Sequence, residues 1–173
     1  MTQDDLYARA ATELGAPLER LARSYEADPA KRPDLLQEIH LALWRSFEGF
    51  DGRCSLRTWV YRVAHNVAAS HVVRHRRAGT RPHVSLDEIE SLPGRGDTEA
   101  DVDRQKTLEQ LYALIQQLAP LEREVILLYL EGMDAAAIGE ITGISPGNAA
   151  TKIHRIKKIL ATRFRQGGRD GLA

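Results

Sequence analysis

One cysteine in 173 residues, Cys54, excludes an intramolecular disulfide and suits a reducing compartment. No run of about 18 apolar residues is present, so no membrane-spanning helix is expected. The chain opens Met-Thr-Gln-Asp-Asp, acidic where a signal peptide needs a basic start and an apolar stretch. A cytoplasmic protein without membrane insertion is therefore expected. There is no phosphate-binding glycine loop, no nucleophile triad, no carboxylate dyad, no internal repeat and no clear strand pattern. Enzymatic chemistry and a cofactor are not expected. Neither sign of charge is in excess, with 24 Lys and Arg against 24 Asp and Glu.

That balance hides a sharp sorting along the chain. Residues 51–81 hold seven basic side chains and one acidic, residues 82–103 one basic and seven acidic, and residues 145–173 seven basic and one acidic. Two basic blocks separated by an acidic stretch are the footprint of a chain that grips a polyanion at two places. The 43% apolar share is enough to build cores, and the dominance of Ala and Leu leans strongly helical.

The apolar spacing resolves this into elements. Leu6, Ala10, Leu14, Leu18, Leu21, Ala22 and Tyr25 recur at three and four, predicting one or two helices broken near Gly15-Ala-Pro17. Pro33-Asp34 starts a second helix, with Leu35, Leu36, Ile39, Ala42, Leu43 and Phe47 inside and Asp34, Gln37, Glu38 and Arg45 outside, which stops at Gly49. Phe50-Asp-Gly-Arg-Cys-Ser55 is a polar turn. Leu56, Trp59, Val60, Val63, Ala64, Val67 and Ala68 then resume helical spacing into the basic end Arg74-His75-Arg76-Arg77. A helix C-terminus favours cations, which covers part of this charge but not all. Residues 78–103, acidic and punctuated by Pro82, Pro93, Gly79, Gly94 and Gly96, read as a linker that buries little. Beyond it two amphipathic helices around Leu111 and Val125 lead to a tighter constellation.

There Asp134 can cap a helix with Ile138 and Ile141 inside, Gly143 permits a left-handed turn, and Ser145-Pro146 opens another helix three residues later. Such spacing makes a helix-turn-helix. Its second helix buries Ala149, Ile153, Ile156 and Leu160 and turns Asn148, Thr151, Lys152, Arg155 and Lys158 outward, where Asn and Arg can read base edges and Lys can hold phosphate. The plainer alternative is a helical hairpin with a solvated basic face. In the 53–77 block, basic residues interleave with Trp59, Tyr61 and His residues, and an exposed Phe50 would offer a stacking platform for single-stranded nucleic acid. Trp59 and Val63 lie on the apolar stripe and are expected in the core. His71 and His75, four apart, have metal-ligand spacing, but no Glu follows the first and no Cys pair is near, so no metal is expected. Cys54 beside Arg53 has no acid or base partner and reads as an incidental loop thiol.

With these residues in place, the chain resembles a bacterial RNA polymerase sigma factor of the extracytoplasmic-function group. The resemblance is carried by Asp34-Leu-Leu-Gln-Glu-Ile39 with Leu43-Trp-Arg45, by Phe50-Asp-Gly-Arg53 with Thr58-Trp-Val-Tyr-Arg-Val-Ala-His-Asn66, and by Ile138-Gly-Glu-Ile141 with Ser145 to Arg155. It spans roughly residues 5–77 and 105–165. It implies an all-α protein of two small helical domains, 1–77 and 104–166, with a flexible acidic linker at 78–103 and a tail at 167–173. Asp34, Gln37 and Glu38 would dock on core RNA polymerase. Phe50, Asp51, Arg53 and Asn66 would hold a base flipped from the promoter's minus-ten element, with Arg62, Arg74, Arg76 and Arg77 on the adjacent backbone. Asn148, Thr151, Lys152, Arg155 and Lys158 would read the minus-thirty-five element as duplex. An anti-sigma factor is implied as a further partner, and the free chain is expected to be a monomer. Four positions depart from the family pattern. Ala137 stands where a Glu is frequent, Ala149 where a larger aliphatic is, and Ala150 where a Lys would add a DNA contact that Lys152, Arg155, Lys157 and Lys158 are left to supply. Gly139 replaces a frequent Ala and is expected to weaken its helix by up to ~1 kcal/mol. The competing readings are a stand-alone helix-turn-helix regulator with residues 1–77 as sensor or dimerisation domain, and a helical metalloenzyme built on His71 and His75.

Overall fold

The computed structural model describes residues 2–75, 86 and 103–167, the side chains at 103–105 and 163–167 excepted. Arg76, Arg77, nearly all of the expected linker and residues 168–173 of the expected tail lie outside the described residues. Within them the chain is all-α, with seven α-helices, one 3-10 turn and no strand. No helix among the described residues is long and apolar enough to cross a membrane.

The first helix, α1 (Gln3–Tyr25), starts at a capping box. The Asp5 amide donates to Thr2 Oγ1 and the Thr2 amide to Asp5 Oδ2. Those bonds hold the Asp5 carboxyl below its usual range. The helix runs unbroken through Pro17, so the expected break at residues 15–17 does not occur. Leu14, Leu18 and Leu21 continue a single buried face across it. The carbonyl deprived of a partner by the missing Pro17 amide belongs to exposed Glu13, where water can satisfy it.

Helix α2 (Arg32–Ser46) buries Leu35, Ile39 and Leu43, and the 3-10 turn Phe47–Gly49 buries Phe47. Helix α3 (Leu56–His75) begins where the Ser55 hydroxyl accepts from the Thr58 amide at 3.0 Å. It is lined by Thr58, Val60, Tyr61, Ala64, His65, Ala68 and His71, all buried, and packs on both α1 and α2.

The second unit is built from α4 (Asp103–Gln117), α5 (Pro120–Leu130), α6 (Ala135–Thr142) and α7 (Pro146–Gly167). Helix α5 buries Val125, Ile126, Leu127 and Leu128 in succession and is the axis of this unit. The end of α4 is closed by the buried guanidinium of Arg123, whose Nη2 donates to the carbonyls of Gln116 and Leu118.

The two units are closed against each other and share one apolar core. α1 lies along α4 and α3 along α6. Arg20 pairs with both carboxylate oxygens of Glu131 at 2.6 and 2.7 Å, and Arg57 donates to the Glu131 carbonyl. Arg62 Nη2 donates to the carbonyl of Glu140 at 2.7 Å. On the other flank Gln116 donates to the Arg23 carbonyl at 3.0 Å, Arg23 lies over the Tyr112 ring, and Arg123 lies over Tyr25. Leu86, the one described residue of the acidic stretch before Asp103, is buried. A segment expected to bury little thus inserts an apolar side chain into the fold.

Two titratable groups, the buried His65 and the half-buried Glu124, lie near Tyr25. Tyr25 Oη lies 3.0 Å from His65 Nδ1, and burial pushes the His65 imidazole down to about 3. Burial pushes the Glu124 carboxyl up to about 7 from 4.5. The folded chain therefore keeps a proton on Glu124 that the unfolded chain releases, and stability is lost as pH rises from about 4.5 to about 7. His65 acts in the opposite sense, its contribution being full above the unfolded value of 6.5 and lost as pH falls toward about 3. Glu124→Gln is expected to stabilise the protein at pH 8 by about 1–3 kcal/mol and to leave it nearly unchanged at pH 4. Urea midpoints at the two pH values check this, and a gap of equal size at both would place the carboxyl in water.

Candidate nucleic-acid interface

The loop before α3 is shaped by Gly52, whose φ of +77° turns the chain, and by Asp51, which accepts from the Arg53 amide and pairs with its guanidinium at 2.5 Å. These bonds hold the Asp51 carboxyl below its usual range. Asp51, Gly52 and Arg53 are exposed. Phe50 is not the exposed platform expected of it. Its amide donates back to Phe47, and its ring packs edge-on against Phe47 at 6.4 Å and Trp59 at 5.3 Å, so that it is half-buried. Trp59 is in turn pinned by Nε1 donating to Ser46 Oγ at 2.9 Å. Trp59 and Val63 are half-buried and pack against the core. Cys54 is a free, half-buried thiol.

Farther along α3, Asn66 is exposed and lines an open groove of about 550 Å³ with Val67, Ser70 and Arg74, facing Glu38, Leu41, Ala42 and Arg45 of α2. Asn66 and Arg74 thus share a groove with α2, while Phe50, Asp51 and Arg53 sit beyond the other end of α3. Arg62 is half-buried and turned to the α6 carbonyl. Arg74 pairs with Glu38 at 2.5 Å, which joins an expected DNA contact to an expected polymerase contact. Asp34 and Gln37 are exposed on α2. So are Leu41 and Trp44, which the sequence reading did not single out as surface residues. His71 is buried with Nε2 3.2 Å from Glu26 and Nδ1 3.5 Å from Glu38, and its ring lies against His75. Among the described residues no group of three or more His, Cys, Asp or Glu side chains is arranged to hold a metal.

In the second unit the helix-turn-helix forms by local chemistry alone. Asp134 Oδ1 accepts from the Ala137 amide at 2.8 Å to start α6. Gly143, at φ +79°, ends it and donates to the Gly139 carbonyl. Ser145 Oγ accepts from the Asn148 amide at 3.2 Å to start α7, with Pro146 in its first turn. Gly139 is more than a weak helix former. A Cβ there would lie 2.7 Å from the Ile144 carbonyl oxygen, so the bare backbone is what lets the turn fold back on α6. Ala149, Ile153, Ile156 and Ile159 are buried, while Leu160 is only half-buried. Ile159 continues the inner stripe where the sequence reading placed Leu160.

Asn148, Thr151 and Lys158 are exposed, and Arg155 is half-buried. Lys152 pairs with Glu122 of α5 at 2.7 Å. Lys157 extends to Tyr129 Oη at 3.1 Å and so turns toward α5. Asn148, Thr151, Lys152 and Arg155 line a cavity of about 380 Å³ with Leu86, Ala119 and Glu122.

The fold is a pair of helical units, the second carrying a helix-turn-helix, and comparison with known proteins places it in a family. The model of Sigma-70 region 2 matches residues 11–78, and that of Sigma-70 region 4 matches residues 108–160. RNA polymerase sigma factor CarQ of Myxococcus xanthus is 32% identical over 159 residues, a match covering 88% of the chain and 83% of CarQ. ECF RNA polymerase sigma factor SigG of Mycobacterium tuberculosis is 33% identical over 150 residues, covering 75% of the chain and 40% of SigG. The match to SigG thus spans well under half of that longer relative. In fold the chain is similar to CnrH, solved with the cytosolic domain of CnrY, at a TM-score of 0.66 and 20% identity over 92% of this chain and 88% of CnrH. It is likewise similar to the sigma factor RpoE of Bartonella quintana, solved with the anti-sigma factor NepR, at 0.66 and 18% over 93% and 97%. The chain belongs to the RNA polymerase sigma factors of the extracytoplasmic-function group.

The geometry makes two predictions. Gly139→Ala gains helix propensity but drives a Cβ into the Ile144 carbonyl, so a net loss of about 1–3 kcal/mol in urea unfolding is expected. A stabilised variant would show that the turn can relax. Arg20→Glu should open the two units, with a larger radius of gyration in small-angle X-ray scattering, and adding Glu131→Arg should close them again. Identical scattering from all three proteins would mean that this pair does not hold the closure.

Proposed function

We propose that the chain is a promoter-specificity subunit that binds core RNA polymerase, recognises a promoter through both units and aids its opening. Its domains are residues 1–77 and 104–166, joined by the linker 78–103. The polymerase contact is the outer face of α2, with Asp34, Gln37 and Glu38. Asp51, Arg53, Asn66 and Arg74, together with Arg76 and Arg77, face melted minus-ten DNA, and Phe50 walls the loop from behind. Asn148, Thr151, Arg155 and Lys158 face duplex minus-thirty-five DNA, with Lys152 among them on α7 but held by Glu122. It acts by recognition and not by catalysis. A partner that inhibits by occupying these surfaces is part of the reading, supported by the protein partners solved on CnrH and RpoE.

The observation that carries this reading is the pairing, in one chain, of a capped helix-turn-helix with a separate polar groove on α3 that presents Asn66 and Arg74. A regulator working through the helix-turn-helix alone has no use for the second surface. The closure adds a requirement. The two promoter elements lie about 25 base pairs apart, roughly 80 Å of duplex at 3.4 Å per step, whereas a compact chain of this length has a radius of gyration of roughly 16 Å. The closed form cannot reach both, so polymerase must hold the units apart. Zero net charge suits a free chain that binds DNA weakly.

Run-off transcription with purified core polymerase tests the proposal. Asn66→Ala should retain core binding yet lose promoter opening and minus-ten selectivity on the order of tenfold or more, the scale of one good base contact. Absence of core binding and of initiation at any genomic promoter would sink the reading, and full activity of Asn66→Ala at all promoters would remove the α3 groove from it.

A further inference from the structure

The helix-turn-helix of a DNA reader is normally furnished with free cations, yet a carboxylate from the preceding helix α5 is set against the second helix of this one. Glu122, in the first turn of α5, holds the Lys152 ammonium at 2.7 Å, and both side chains are mostly enclosed, 17% and 21% exposed. The pair lies in the wall of the cavity that Asn148, Thr151 and Arg155 also line. Asn148 and Thr151 are exposed beside it, and the Thr151 hydroxyl donates to the Gly147 carbonyl. Lys152 therefore presents to this surface a neutralised pair and not a lone ammonium.

The distinction bears on selectivity. A free Lys ammonium on a recognition helix holds any phosphate, adding affinity that is the same for every sequence, whereas base-edge contacts differ between sequences. Resting on the promoter-recognition reading above, we propose that Glu122 is a specificity-determining residue of the minus-thirty-five interface: by sequestering Lys152 it removes a sequence-independent phosphate contact and leaves discrimination to the neighbouring polar side chains. Glu122 acts through Lys152 and is a positioning residue. Its isosteric amide, Glu122→Gln, keeps the size and releases the charge.

The test is equilibrium binding of holoenzyme, assembled from the full chain and core polymerase, to labelled duplexes carrying either the promoter's minus-thirty-five sequence or a scrambled one, across a series of salt concentrations. Glu122→Gln should bind the scrambled duplex roughly five- to tenfold more tightly at about 0.1 M salt, with a log–log salt slope steeper by about one, as one added phosphate contact requires. The ratio of specific to scrambled affinity should fall accordingly. Glu122→Gln with Lys152→Gln should return the slope to that of the parent protein. An unchanged slope in a variant with unchanged thermal stability would overturn the inference, as would equal weakening on both duplexes, which marks a purely structural pair. A parent holoenzyme that itself fails to tell the two duplexes apart would instead overturn the minus-thirty-five role of α7, and the inference with it.

Discussion

The burial of α3 on three sides is the constraint on which the rest of this molecule depends. One helix supplies the core of the first unit through Val60, Tyr61, Ala64 and Ala68, presents Asn66 and Arg74 to the α2 groove, and faces α6 of the second unit through Arg62. Its small residues make the arrangement possible. Ala64 and Ala68 are fully buried and allow close packing in a helix that contacts both α1 and α2, and Tyr25 of α1 reaches His65 on the same helix. A helix packed this way has little freedom to tilt, so the polar side chains along its outer ridge are held in a fixed relation to the turn at Gly52.

How much could be read from the residues depends on how local the deciding interaction is. The caps and turn of the helix-turn-helix were legible because Asp134, Gly143 and Ser145 each act on a backbone group within four residues. The two-unit, all-helical plan was legible from apolar spacing. Pro17 misled because propensity predicts a break, while the buried Leu14, Leu18 and Leu21 face overrides it. Phe50 misled because a polar loop suggests an exposed ring, and only the return of the 3-10 turn toward Trp59 shows otherwise. Gly139 looked like a weakened helix position until the Ile144 carbonyl was placed beside it. Arg20 and Glu131, 111 residues apart, carried no signal at all.

Electrostatically the protein is far more self-satisfied than its two basic blocks suggest. Arg53 is engaged by Asp51, Arg74 by Glu38, Lys152 by Glu122 and Arg62 by a main-chain carbonyl. Exposed pairs such as Arg53 with Asp51 contribute little to stability. Their effect is on the field. A side chain already paired attracts a polyanion weakly at long range, so these four cations count for less in the field than their number in the composition suggests.

The closure of the two units has a consequence for every molecule that engages them. When only a fraction of the population is open, the apparent affinity of a ligand that needs the open form is the intrinsic affinity multiplied by that fraction. Any ligand that must span the separated units, or insert between them, is weakened by that factor. A protein that wraps the outside of the closed form is not weakened at all. Partners of the two kinds therefore do not start level: the fold itself favours the embrace over the wedge.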